Sequence, residues 1–318
     1  MQDKVLQKLP KVKKGVLLKD YTTYKIGGPA QYFFIAKSKE DLLVALETAK
    51  ILKLPIFILG GGSNLLISDK GLKGLVIKIN VLGVKFQGNE AFVGSGVNLT
   101  KLAYLSASEG LSGLEWSAGV PGTIGGAIFG SAQAFGTRMS DAVKEVEAID
   151  SKTFKIKKFT KEQCKFSLKN SIFKKNNNLV IVSAVLEFKK EDTTKIKNKI
   201  KEFLGYRKKF HPLNFPSAGS TFINPKNKVR DRILLKKFPE LNEYNRAGSI
   251  PSGYLIAKSG LAGRKIGNAQ ISEKHANFII NLGGAKAKDI LALISLAKKT
   301  VKNNFDIDLE PEVQFLGF

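Results

Sequence analysis

The chain has 318 residues, 43% of them hydrophobic and 25% charged, the balance of an ordinary soluble protein with room for two or three domains. Its 52 basic and 27 acidic side chains give a formal charge of +25, while a single cysteine (Cys164) and two histidines (His211 and His275) exclude a disulfide framework and a Cys- or His-rich metal centre. The lysines are spread from Lys4 to Lys302 among acids, without zinc-finger spacing or a basic tail, so the charge suits anionic small molecules rather than nucleic acid. No apolar run of about 18 residues occurs and the N-terminal stretch lacks a hydrophobic signal core, so a cytoplasmic protein that does not span a membrane is expected.

In chain order, residues 1–20 read as a short amphipathic helix and a lead-in, and QYFFIA at 31–36 as a strand. Ser38 opens Ser-Lys-Glu-Asp, a helix-start signal whose helix is expected to carry Leu42, Leu43, Leu46, Ala49 and Ile51 on one side. The apolar run Pro55–Leu59 ends in Gly60-Gly61-Gly62-Ser63-Asn64. A strand at 75–79, a helix near 99–109 and strands at 142–149, 153–157 and 179–188 follow. The charged run at 189–210 predicts an exposed helix and the best domain boundary. Beyond it, His211 to Pro225 reads as a turn-rich loop, 252–258 as a short helix, 277–281 as a strand and Asp289–Val301 as a clear helix. Finally Ile307, Leu309, Val313 and Phe315 alternate with Glu310, Glu312 and Gln314, which predicts two faces of a strand. The fold class is α+β.

Two glycine-rich segments carry the first chemical signal. Gly60-Gly61-Gly62-Ser63-Asn64 follows an apolar strand, as a phosphate loop should, but Leu65 stands where a Rossmann fingerprint needs glycine. Residues with little or no side chain let backbone N–H groups converge on an anion, and a tight turn is the plainer reading. Gly119-Val120-Pro121-Gly122-Thr123-Ile124-Gly125-Gly126 leaves little volume above the backbone, which suits close approach by a flat group. Together the segments fit a ligand with a diphosphate and a ring system. A flavin dinucleotide is one such ligand, and spacing alone does not separate it from another dinucleotide.

The motifs TTYKIGGPA (22–30), LGGGSNLLISDKGLKG (59–74), GLSGLEWSAGVPGTIGGA (110–127), PSAGSTFINP (216–225), GLAGRKIGNAQISEKHANFIIN (260–281) and LEPEV (309–313) resemble, in order, the UDP-N-acetylenolpyruvoylglucosamine reductase family. The resemblance implies a vanillyl-alcohol-oxidase-type FAD-binding domain of two subdomains (1–74 and 75–205) and a small C-terminal α+β substrate domain (206–318). It implies noncovalent FAD, since neither glycine segment holds a His or Cys for attachment, with NADPH as co-substrate. The implied activity is reduction of UDP-N-acetylglucosamine enolpyruvate to UDP-N-acetylmuramate for peptidoglycan, cell shape and cell division, by a cytoplasmic monomer. Gly60, Gly61, Gly62, Ser63 and Asn64 would hold the flavin diphosphate. Tyr24, Ile26, Gly119, Val120, Pro121, Gly122, Thr123, Gly125 and Gly126 would pack around the rest of the cofactor. Ser220 matches the family's proton donor and Glu312 its carboxylate, with Glu310 as the nearby competitor. Asn224 matches a substrate-binding asparagine. His275 either contacts substrate or braces its loop, and Arg207 either meets the substrate diphosphate or is a solvated helix end.

Two segments depart from the family pattern. Leu168-Lys169 stands where tyrosine and a carboxylate-binding arginine are usual, so Lys169 keeps the charge but loses the two-pronged donor. Gln133 and Ser131 replace a glycine and an asparagine, so strain at Gln133 is expected if that glycine had a positive φ. These departures leave open a flavin- and UDP-sugar-binding homologue with weak or no catalysis, acting as a sensor or partner.

Overall fold

A computed structural model describes residues 2–226 and 228–318. Contacts group the chain into two units. The first holds residues up to Val16, Ala30–Gly62 and Leu72–Arg207; the second holds Leu17–Pro29, Ser63–Gly71 and Lys208–Phe318.

Among the described residues the first unit contains two larger sheets and two short two-stranded pairs. One larger sheet is four-stranded, ordered Lys13–Leu17, Pro29–Ala36, Leu72–Ile79, Ile56–Leu59, with the last three parallel. The strand at 13–17 lies where only a lead-in is expected, and the expected division at 74/75 falls inside the strand Leu72–Ile79. The crossover helix Lys39–Ile51 starts where Ser38 predicts, the serine hydroxyl accepting the Asp41 N–H at 3.1 Å. It buries Leu42, Ala45, Leu46 and Ala49. Ile51, expected on this face, is 62% exposed, because nine residues at 100° each put it opposite Leu42.

The second sheet is five-stranded and antiparallel, in the order Ile156–Thr160, Val143–Asp150, Leu179–Glu187, Glu90–Gly94, Val84–Gln87. Val180 and Val182 pack with the helix Lys39–Ile51, while Leu179 and Ile181 pack with Trp116, Ile124 and Phe173. Burial on both faces explains why this strand reads as a continuous apolar run. The strand expected at 153–157 begins three residues later, after the turn held by the Asp150 carboxylate. The helix Thr193–Phe210 carries the division between the units in its last turn. Among the described residues no helix is long and apolar enough to cross a membrane.

The second unit has a four-stranded antiparallel sheet, ordered Ser217–Ser220, Phe278–Asn281, Ala269–Ile271, Lys265–Ile266. The helices Ser252–Lys258 and Ala287–Phe305 contribute Leu255, Ile290, Leu293 and Val301 to its core. The expected loop from His211 to Pro225 therefore contains a strand, hidden in the sequence because Ser-Ala-Gly-Ser carries no apolar alternation. A short parallel pair joins Leu65–Ile67 to Gln314–Leu316. Val313 is buried as expected, but Phe315, expected on the same face, is 39% exposed; the strand begins only at Gln314, so the two are not neighbours on one face of a regular strand.

Candidate functional site

In the first unit the strand Ile56–Leu59 delivers the chain into Gly60–Gly62, which lies backbone against backbone on Gly122 and Thr123. A Cβ on Gly61 would stand 2.6 Å from the Gly122 Cα, and one on Gly60 would stand 2.9 Å from the Thr123 Oγ1. Only glycine permits this approach. Thr123 then caps the helix Ile124–Phe129, its hydroxyl accepting the Gly126 N–H at 3.3 Å. Loop ends are tied down: the Leu99 N–H donates to Gly122 O at 3.1 Å and the Gly125 N–H to Ser95 O at 2.9 Å. A Cβ on Gly126 would meet only Thr123 Oγ1, at 3.5 Å, so this residue offers open backbone. Gly119, Pro121 and Gly126 are exposed and Val120 is half-buried. This glycine-lined cradle fits a cofactor with a diphosphate and a flat ring.

Two cations brace the cradle, and their burial is not legible in the sequence. The Lys78 ammonium donates to the Gly60 carbonyl, and burial lowers its pKa. Arg207 is only 7% exposed, so it is neither a solvated helix end nor turned to a substrate diphosphate as expected. Its Nε donates to Ala118 O at 3.1 Å and its Nη2 to Trp116 O at 2.9 Å, and burial lowers its pKa. Phe135 lies against the guanidinium, 5.1 Å from ring centroid to Cζ, and stacks on Phe203 with centroids 4.3 Å apart. Phe135 and Gly136 form the turn of a tight hairpin, with φ of +53° and +79°. Gln133 is an ordinary strand residue of that hairpin, so the expected strain is not there; Ser131 and Phe135 carry the positive φ instead.

Lys169 lies in a turn that closes on itself, the Ser167 N–H donating to Asn170 O at 3.0 Å. It is half-buried with φ +55°, and its carbonyl accepts the Lys174 ammonium at 2.9 Å.

In the second unit Ser220 and Glu312 are brought together through Thr221. Ser217 pairs with Ile280 and Ser220 with Phe278, so one extra residue bulges from the strand, with Gly219 at φ +75°. Such a bulge re-aims the side chain that follows it. The Glu312 N–H donates to Thr221 O at 2.8 Å, and the Glu312 carbonyl accepts the Asn64 side-chain amide at 3.1 Å. Glu312 is half-buried, whereas its competitor Glu310 is exposed. Asn64 thus ties its side-chain amide to Glu312, and its backbone carbonyl accepts the Gln314 N–H at 3.1 Å. Ser63, next to it, is half-buried.

The neighbouring residues hold this arrangement. Asn277 brackets Phe222, accepting its N–H at 3.0 Å and donating to its carbonyl at 2.9 Å. Asn224 is exposed, and its amide oxygen accepts the Ser252 N–H at 3.0 Å. His275 has the contacts of a brace: its Nδ1 accepts the Asn277 N–H at 3.3 Å and its ring lies edge-on to Phe278. Burial lowers its pKa, favouring the neutral imidazole. Tyr24 and Ile26, expected around the dinucleotide, instead lie in the second unit's own core, Tyr24 at 0% exposure. Burial raises the Tyr24 pKa against a smaller opposing effect of the Thr221 hydroxyl, and neither oxygen completes a hydrogen bond of ordinary geometry.

The fold and the glycine cradle define a class: a protein with an FAD-binding domain and a smaller C-terminal α+β domain. Residues 30–156 match the FAD binding domain model, and residues 211–316 the model of the UDP-N-acetylenolpyruvoylglucosamine reductase C-terminal domain. The chain is 37% identical to the UDP-N-acetylenolpyruvoylglucosamine reductase of Clostridium novyi over 311 residues, 96% of this chain and 92% of that protein. Identity to the enzyme of the same name from Anoxybacillus flavithermus is also 37%, over 96% and 94% of the two chains. The crystal structure of UDP-N-acetylenolpyruvylglucosamine reductase from Thermus caldophilus matches with a TM-score of 0.77 at 31% identity, covering 96% of this chain and 99% of that one. The chain belongs to the UDP-N-acetylenolpyruvoylglucosamine reductase family.

Proposed function

We propose that this protein reduces UDP-N-acetylglucosamine enolpyruvate to UDP-N-acetylmuramate, a step of peptidoglycan precursor synthesis, using FAD and electrons from NADPH. The observation that carries the reading is the Glu312–Thr221 backbone hydrogen bond, which holds residue 312 next to the end of the Ser220 strand in a chain with an FAD-binding domain. Bound FAD would supply the two-electron chemistry that the protein's own side chains lack. Gly60–Gly62 would receive its diphosphate, and Gly119–Gly126 would accept the flat ring against open backbone.

Ser220 is the proton donor in this reading. A serine hydroxyl is a feeble acid, so it serves only a strongly basic carbon at fixed geometry, and the bulge at Gly219 supplies the fixed geometry. Glu312 would meet the charge that develops on the enolpyruvyl carboxylate side, stabilising it through a shared proton. Lys169 would give that carboxylate a point charge in place of a fork. Asn224 holds its amide oxygen on Ser252 and would present its NH₂ group to the substrate.

Lys169 also favours a second reading, a flavin- and UDP-sugar-binding homologue with weak catalysis, because the nearby Lys174 ammonium is engaged by the Lys169 carbonyl. An anaerobic titration separates the two. The reductase reading expects NADPH to bleach the flavin's visible band and UDP-N-acetylglucosamine enolpyruvate to restore it. Bleaching without restoration by substrate favours the binder; restoration by oxygen alone, with substrate inert, overturns the assignment.

A further inference from the structure

We propose that Lys78 is the charge-balancing and positioning residue of an anion site on the glycine segment, serving the diphosphate of a dinucleotide. The proposal rests on the reading of Gly60–Gly62 as a dinucleotide loop and adds a residue outside that loop.

Lys78 pairs in parallel register with Leu59, the residue before Gly60, so the two strands bring its side chain to the start of the glycine segment. There its ammonium donates to the Gly60 carbonyl. A trans peptide sends its C=O and N–H in opposite directions, and no cis peptide occurs among the described residues. Holding the Gly60 carbonyl therefore fixes the direction of the Gly61 N–H, which points away from the ammonium. Gly61 cannot drift, because its Cα packs on the Gly122 backbone with no room for a Cβ. One lysine thus orients a backbone donor in the segment that would receive phosphate oxygens.

Charge supplies the second half of the argument. Lys39, Lys144, Lys157 and Lys158 each meet a carboxylate on the first unit's surface. Lys78 is more buried than a surface lysine and meets none among the described residues. An ammonium has three donors, and among the described residues one of these is engaged, by a neutral carbonyl. Desolvating a cation without a counter-ion is costly, and an anion arriving at the same loop relieves that cost. At a separation of one peptide unit the attraction acts through space, with less screening than at an exposed surface.

The test uses the flavin-free full chain and calorimetric binding of FAD, ADP and riboflavin, so it needs no turnover. Lys78→Met is expected to weaken FAD and ADP about tenfold to a hundredfold, as loss of a charged hydrogen-bonding group does, and to leave riboflavin, which lacks the diphosphate, unchanged. Lys78→Arg is expected to restore most of the ADP affinity. The wild type should also lose ADP affinity with added salt more steeply than Lys78→Met, a difference that a purely structural role would not produce. Circular-dichroism melts confirm that the variants fold, and Lys78→Gln replaces the charge with an amide should Lys78→Met unfold. Equal losses for riboflavin and FAD, an unchanged salt dependence, or no ADP binding by the wild type would each overturn the proposal. Tight, Lys78-dependent ADP binding in a protein that does not reduce the UDP-sugar would sink only the catalytic reading.

Discussion

The glycine cradle of the first unit and the Ser220–Glu312 region of the second are built by opposite means. The cradle is made of backbone: Gly60 and Gly61 touch Gly122 and Thr123, and its supports, Lys78 and Arg207, act by holding carbonyls. The second region is made of side chains on backbone that distant segments hold, through Thr221 to Glu312 and Asn64 to Glu312. A site of backbone fails when volume is added, whereas a site of side chains fails when a functional group is removed.

The largest expected effect removes a functional group. Ser220→Ala should lower turnover by about 10²–10⁴-fold, the usual worth of a positioned proton donor. Stopped-flow absorbance should show flavin reduction by NADPH unchanged; equal losses in both half-reactions would break the comparison. Next comes added volume. Gly61→Ala places a Cβ 2.6 Å from the Gly122 Cα, so it should cost about 1–3 kcal/mol in a thermal melt and weaken FAD, with UDP-sugar affinity preserved. Asn64→Ala decides to which region that residue belongs. Losing its bond to the Glu312 carbonyl should cost about 0.5–1.5 kcal/mol and lower turnover while leaving the FAD dissociation constant unchanged. A selective loss of FAD would return Asn64 to the diphosphate.

The smallest effect is a pH dependence. His275 has its pKa lowered by burial, so the unfolded chain binds its proton more readily than the folded one. The neutral imidazole's contribution to stability is present above the unfolded value of about 6.5 and is lost as pH falls toward the folded value. His275→Gln should flatten that part of the stability profile, measured by denaturant titration; an unchanged slope would remove His275 from the account.

Much of the first unit is legible in the sequence because its signals are local. Ser38 announces its helix, and the glycine segments at 60–62 and 119–126 stand out because positions such as Gly61 and Gly125 have no room for a Cβ. The second unit is legible chiefly through its resemblance to the family. Ser217–Ser220 hides a strand in small polar residues, and the bond from Glu312 to Thr221 joins segments that no spacing rule connects. Burial misleads in both directions. Arg207 reads either as a diphosphate contact or as a solvated helix end, and nothing in the sequence marks Lys78 off from the other lysines, yet neighbouring segments cover both, while Tyr24 reads as a ligand contact because it sits in a motif and is instead core. What lies across from a side chain is a tertiary fact, and periodicity along one element does not contain it.

The parallel pairing of Leu65–Ile67 with Gln314–Leu316 also constrains the order in which the molecule is made. Asn64 and the Glu312 carbonyl that it meets are 248 positions apart, whereas the sheets of the first unit need nothing beyond Arg207. On a ribosome adding roughly 5–20 residues per second, the first unit has several seconds to collapse before its sequel emerges. During that interval Leu65, Leu66 and Ile67 wait as an unpaired apolar ribbon. Nascent chains halted between these points should therefore recruit holdase chaperones, and release should follow completion of the distant partner strand.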